Sequence, residues 1–232
     1  MAAAADPRLI VALDVPTVGE ARALVERIGE AAVFYKIGLQ LFATGGMALA
    51  AELKAQGKQV FLDWKLHDIG ATVEKAAAAI ADAGSGDLLT VHAEPQVLNA
   101  AVKGRGASGV KILGVTVMTS LAEADLKDIG YAHGVEALVE RRIRQTLEAG
   151  ADGVIASPHE AALARRIGGE GFLVVTPGVR PEWAGKDDQA RAATPAEALK
   201  NGATHLVVGR PITAATDPRA AALAVAQEMT GA

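Results

Sequence analysis

The chain has 232 residues; half are hydrophobic, 3% are aromatic, none is Cys, and the net charge is −4. That length suits one α/β barrel, and the lack of Cys excludes disulfide scaffolds, thiol nucleophiles and Cys-ligated metals. A mildly acidic balance with no basic block argues against nucleic acid or an anionic membrane as partner, so an anionic substrate requires a local cationic site. The first six residues are Ala-rich but have neither a basic segment nor a long apolar run, so a signal peptide is not expected. No apolar run reaches the roughly 18 residues of a membrane span. The expectation is a cytoplasmic protein.

Eight short aliphatic runs recur along the chain: Leu9 to Leu13, Val33 to Ile37, Gln59 to Asp63, Asp87 to His92, Val110 to Val115, Gly153 to Ser157, Phe172 to Thr176 and His205 to Gly209. Most are apolar on both faces, as strands of a buried parallel sheet are. Between them lie Ala-, Leu-, Glu- and Arg-rich stretches with helical spacing, for example 18–29, 71–84 and 135–150. Gly29, Gly57, Gly84, Gly150 and Gly202 stand where helices would stop. The reading is an α/β fold, a single (β/α)8 TIM barrel over residues 1–232. A doubly wound open sheet is the alternative, but no GxGxxG follows the first run. Two long connections, Ser120 to Gly134 and Pro177 to Arg191, are candidate lids, because loops after barrel strands build active sites.

Polar residues gather where these strands should end. Asp14 closes the first run, Lys36 the second, Asp63 and Lys65 the third, and His92 the fourth; Thr116 to Ser120 follow the fifth, and Gly209-Arg210 closes the eighth. A single such residue is an ordinary cap, but charge at a barrel mouth is costly unless paired or used, and here several strands repeat it. Asp63 and Lys65 are two residues apart, so on extended chain they face the same side. Asp68 follows at the start of the next helix, and Lys36 can join from the neighbouring strand. A carboxylate beside the ammonium keeps Lys65 charged and oriented. Such an alternating array suits a reaction in which carbon loses a carboxylate and gains a proton, with Lys65 as donor.

Gly209-Arg210 and the segment Thr176-Pro177-Gly178-Val179-Arg180 end the last two strands, where such barrels commonly bind phosphate; Gly lets backbone amides approach and Arg offers a bidentate fork. Gln189 lies on the second candidate lid. His92-Ala93-Glu94, with His67, could be a metal pair or a hydrogen-bonded rim. Trp64 and Trp183 read as packing residues.

The segment Asp63-Trp64-Lys65-Leu66-His67-Asp68-Ile69-Gly70-Ala71-Thr72 resembles the DxKxHDI..T signature of the orotidine 5'-phosphate decarboxylase family. Supporting matches are Val11 to Asp14, Tyr35 to Gly38, Met118 to Ser120, Thr176 to Arg180 and Val208 to Arg210, so the resemblance runs from Ile10 to Ile212. It implies a dimeric barrel that makes UMP from orotidine 5'-phosphate with no metal and no cofactor, which leaves His92 as a hydrogen-bonded rim residue. By resemblance, Lys65 is the proton donor to C6 and Asp63 faces the substrate carboxyl, while Lys36 and Asp14 hold the ribose hydroxyls. Asp68 and Thr72 reach the neighbouring subunit's site, and Thr119 and Ser120 contact the ring. Arg180, Gln189, Gly209 and Arg210 grip phosphate; Ile69 and Pro177 join the substrate contacts. The chain departs from the family at Gly70-Ala71, where an Asn is common, and at Trp64 and Leu66; none of these is a proposed chemical group. The nearest competing readings are a Mg²⁺-dependent phosphosugar decarboxylase or synthase on the same barrel and a barrel that only binds a nucleotide.

Overall fold

A computed structural model describes residues 5–184 and 193–231. The chain begins with β1 (Leu9–Ala12), α1 (Val18–Ile28), β2 (Phe34–Gly38), α2 (Leu39–Phe42), α3 (Gly46–Ala55) and β3 (Gln59–Leu66). It continues with α4 (Gly70–Ala83), β4 (Leu88–His92), α5 (Pro95–Arg105), β5 (Lys111–Val115), α6 (Glu123–Ile129) and α7 (Val135–Glu148). The last part holds β6 (Gly153–Ile155), α8 (Ala161–Gly168), β7 (Leu173–Thr176), α9 (Pro195–Lys200), β8 (His205–Val208), α10 (Arg210–Thr213) and α11 (Pro218–Thr230).

Each strand pairs in parallel with its sequence neighbours, and β8 returns to β1, so the sheet closes into a (β/α)8 barrel. Closure follows from strands that are apolar on both faces. Leu9 and Val11 of β1 point outward into the shell formed with the helices, while Ile10 and Ala12 point inward. The inward residues Ile10, Ala12, Phe34, Phe61, Leu88, Leu113, Val175 and Val207 fill the barrel interior with aliphatic and Phe side chains. The outer shell draws heavily on Ala, including Ala21, Ala50, Ala77, Ala101 and Ala222, which lets helices pack close to the sheet. In the sequence's terms, few aromatics are needed because helix and sheet meet through small residues.

The strand bounds differ from the sequence reading mostly by one or two residues at an end. The exception is β3, which does not stop at Asp63 but runs to Leu66, with a shift in its register against β4 between Leu62 and Leu66. The connection from Ser120 to Gly134 is not bare loop, since it contains α6. The five glycines read as helix stops all take positive φ; Gly29 and Gly84 are themselves the caps, and the other three stand one residue beyond theirs. Among the described residues, no helix is long and apolar enough to cross a membrane.

Candidate active site

The two-residue period that fills the barrel interior also builds its mouth. In β2, Phe34 belongs to the interior floor and Lys36, two residues on, lines the cavity above it. In β3 the same step leads from Phe61 to Asp63, and in β1 from Ala12 to Asp14. Parallel pairing sets Lys36 against Phe61 and Gly38 against Asp63. The charged positions therefore converge at the C-terminal end of adjacent strands. A side chain on Gly38 would crowd both Asp14 and Lys36, its Cβ lying 3.0 Å from an Asp14 carboxylate oxygen.

Four charges alternate in sign across this convergence. Lys36 Nζ donates to Asp14 Oδ1 at 2.8 Å and lies 3.5 Å from Asp63 Oδ2; Lys65 Nζ donates to Asp63 Oδ1 at 2.8 Å. Lys36 is almost fully buried and Asp14 is well exposed. Burial by itself would push the Asp63 carboxyl up, but Lys36, Lys65 and the hydrogen bonds from Lys65 and Thr90 outweigh it and hold it below the ordinary carboxylate value. Asp63 is thus an anion at neutral pH, clamped between two ammonium groups.

Lys65 meets Asp63, but not by the regular alternation of an extended strand. Lys65 has φ +48°, the only positive φ of a non-Gly residue among those described. It sits in the register shift of β3. A left-handed residue costs an L side chain about 1–2 kcal/mol, and such strain persists only where the surroundings enforce it. Here Thr90 of β4 enforces it: its hydroxyl accepts from the Lys65 amide and donates to Asp63 Oδ1, both at 3.0 Å. Thr90 is fully buried and was not singled out by sequence reading. Its signal was present, a lone hydroxyl within an apolar strand two residues before His92.

The cavity over this array has two lobes that share Lys36, Asp63, Pro177 and Val207. One, of about 230 Å³, is mainly apolar; Lys65, Thr119 and Ser120 line it beside Val115, Val117, Met118 and Ile155. The other, of about 390 Å³, is more polar and brings together Asp14, Gly178, Arg180, Gly209 and Arg210. Sequence reading missed Val115, Ile155 and Val207 of the first lobe's apolar wall, because aliphatic strand ends are indistinguishable from core. Thr213, which lines the second lobe, was also missed.

Asp68, Ile69 and Thr72 do not line the cavity of their own chain. They are exposed around the start of α4, two of them before the helix begins, and Asp68 accepts from the Ile69 amide at 2.6 Å rather than pairing with Lys65. Gln189 lies outside the described residues. His67 and His92 stack at 4.5 Å, and Glu94 comes within 3.8 Å of the first and 4.0 Å of the second. Burial, more than any neighbouring charge, holds the His92 imidazole below its ordinary value. Among the described residues, no group of three or more His, Asp or Glu is placed to hold a metal ion. Trp64 is buried against the Phe42 ring, whereas Trp183, expected to pack, is half exposed.

Residues 7–225 match the family described as Orotidine 5'-phosphate decarboxylase / HUMPS family. Orotidine 5'-phosphate decarboxylase of Caulobacter sp. is 68% identical over 227 residues, which span 98% of this chain and 99% of that protein. The enzyme of the same name from Caulobacter vibrioides is 67% identical over 231 residues, 98% of this chain and 99% of that protein. The crystal structure of orotidine 5'-phosphate decarboxylase from Lactobacillus acidophilus superposes with a TM-score of 0.85 at 36% identity, over 97% of this chain and 99% of that one.

Proposed function

The chain belongs to the Orotidine 5'-phosphate decarboxylase / HUMPS family, and from that premise we propose how its residues divide the reaction. It is a carbon–carbon lyase that converts orotidine 5'-phosphate to UMP and carbon dioxide in pyrimidine synthesis. The observation that carries the residue-level reading is the array Asp14–Lys36–Asp63–Lys65 at the junction of an apolar and a cationic lobe.

The pyrimidine occupies the apolar lobe, where Thr119 and Ser120 supply its polar contacts. The ribose lies over Asp14 and Lys36, and the phosphate takes the lobe of Arg180, Gly209 and Arg210, with Pro177 between the lobes. The bond from C6 to the carboxyl carbon breaks, carbon dioxide departs, and the electron pair stays on C6. Lys65 gives its ammonium proton to that carbon and regains one from solvent. The same ammonium stabilises the developing negative charge before the proton moves. Asp63 holds the Lys65 ammonium aimed, 2.8 Å from its Oδ1. Its fixed negative charge also faces the substrate carboxylate, a repulsion that disappears as carbon dioxide leaves. Lys36 keeps Asp63 ionised from the opposite side. Phosphate binding far from C6 supplies binding energy that holds the ring against this repulsion.

A homodimer completes the site. Asp68, Ile69 and Thr72 are exposed and outside their own cavity, and Leu39 and Phe42 of α2, with Ile69 and Met118, are exposed apolar residues that follow β2, β3 and β5 at the same end of the barrel. The exposure of Asp68 and Thr72 outside their own cavity, beside these apolar residues, supports a face on which Asp68 and Thr72 reach a neighbour's site. The cysteine-free, mildly acidic composition supports a cytoplasmic location.

The deciding experiment is turnover of orotidine 5'-phosphate by purified protein, followed by ultraviolet absorbance with and without EDTA. Chelator-insensitive conversion to UMP is expected. No conversion, or conversion of a sugar phosphate that stops with EDTA, would overturn the reading and turn Asp63 and Asp68 into candidate Mg²⁺ ligands.

A further inference from the structure

Arg142 lies on α7, is buried, and lines neither lobe of the cavity. Its guanidinium nevertheless joins three elements at the barrel mouth. One Nη donates to the backbone carbonyl of Thr116, just beyond the end of β5. The other donates to Glu94 Oε1, between β4 and α5, and to the Tyr131 hydroxyl after α6, each at 2.9 Å. The guanidinium also stands 5.3 Å from the Tyr131 ring centroid. Glu94 in turn faces the stacked His67 and His92.

The approach of α7 that allows this is written into β5. A Cβ on Gly114 would collide with Thr146, one helical turn beyond Arg142. Only with that position bare can the helix lie close enough for Arg142 to reach the strand end. Thr116 is followed directly by Val117, Met118, Thr119 and Ser120, which line the apolar lobe. Burying a guanidinium and a carboxylate generally adds little stability compared with apolar packing, whereas it does fix geometry.

We propose that Arg142 is a positioning residue for base recognition: by holding the Thr116 carbonyl against Glu94 and Tyr131, it sets the strand-to-loop turn that presents Thr119 and Ser120 to the pyrimidine ring. It touches no substrate atom. This rests on reading the apolar lobe as the pyrimidine pocket.

The test compares the affinity for UMP with that for ribose 5-phosphate, which has the sugar and phosphate but no ring, by calorimetry. The variants are Arg142→Met and the double variant Glu94→Gln/Arg142→Met; the second leaves no unpaired buried charge and so guards against misfolding. Loss of the fork to a backbone carbonyl is expected to weaken UMP binding by about tenfold or more while ribose 5-phosphate stays within about twofold. If the folded variants keep wild-type UMP affinity, or lose both ligands alike, the role of Arg142 is overturned while the pocket assignment stands. If the wild-type protein itself binds UMP no tighter than ribose 5-phosphate, the pocket assignment falls and takes the inference with it.

Discussion

Replacing Lys65 separates its chemical role from its backbone conformation. Lys65→Ala and Lys65→Gly both remove the ammonium, so both leave Asp63 with Lys36 and Thr90 as partners. They differ in what the chain must do at φ +48°. Ala in the left-handed region costs about 1–2 kcal/mol, which Gly escapes. Gly also has more freedom to lose on folding, which returns about 0.4–1 kcal/mol of that advantage. The net expectation is that Lys65→Gly is the more stable of the two by about 0.5–1 kcal/mol, or roughly 1–4 °C in Tm for a chain of this size. Neither should turn over: loss of a positioned proton donor costs about 10²–10⁴ in rate, and loss of the charge opposite the carbanion adds about 10²–10³. UMP binding should remain measurable in both. The assay is paired thermal unfolding and ultraviolet decarboxylation. Lys65→Gly melting below Lys65→Ala would refute the strain argument, and near-wild-type turnover in either would refute the proton-donor role.

Mixing two inactive proteins tests the shared site: Lys65→Ala homodimers and Asp68→Ala homodimers, exchanged by dilution and reassembly, should recover about a quarter of wild-type activity, since half the dimers then carry one intact site of two. No recovery would place Asp68 in the service of its own chain. Arg210→Ala removes a bidentate phosphate partner worth about 1.5–3 kcal/mol, so KM should rise roughly tenfold to a hundredfold with a smaller change in kcat; an unchanged KM counts against the assignment. Asp63→Asn bears on acid stability. Asp63 has its carboxyl below the ordinary value of 3.8 in the folded chain. Its contribution is therefore complete above that value and is lost as pH falls through the lowered one. The variant's stability should fall less steeply than the wild type's in acid below about pH 4, as read from urea midpoints against pH; parallel curves would show that Asp63 carries no such linkage.

Much of this protein was legible in its sequence, for local reasons. Short runs apolar on both faces read as buried strands, and glycines that accept positive φ mark where helices stop, so the eight strand–helix units were legible from periodicity, while closure of β8 onto β1 was not. Asp14, Lys36, Asp63 and Lys65 stand out because charge at successive strand ends needs a partner. What the sequence leaves open is which strand end meets which. Thr90 looked like filler in an apolar run until pairing of β3 with β4 put its hydroxyl between Asp63 and the Lys65 amide. The left-handed turn at Lys65 is set by that register shift, which no spacing rule encodes. Val115, Ile155 and Val207 became walls of a cavity only because barrel closure carried β5, β6 and β8 up to β2 and β3. In the sequence Arg142 is one of three Arg residues in the stretch 135–150; the bare Gly114 beneath α7 brings it to Thr116 and Glu94. Composition and periodicity fix what each segment does by itself, and closure of the sheet decides the contacts between segments far apart in the chain.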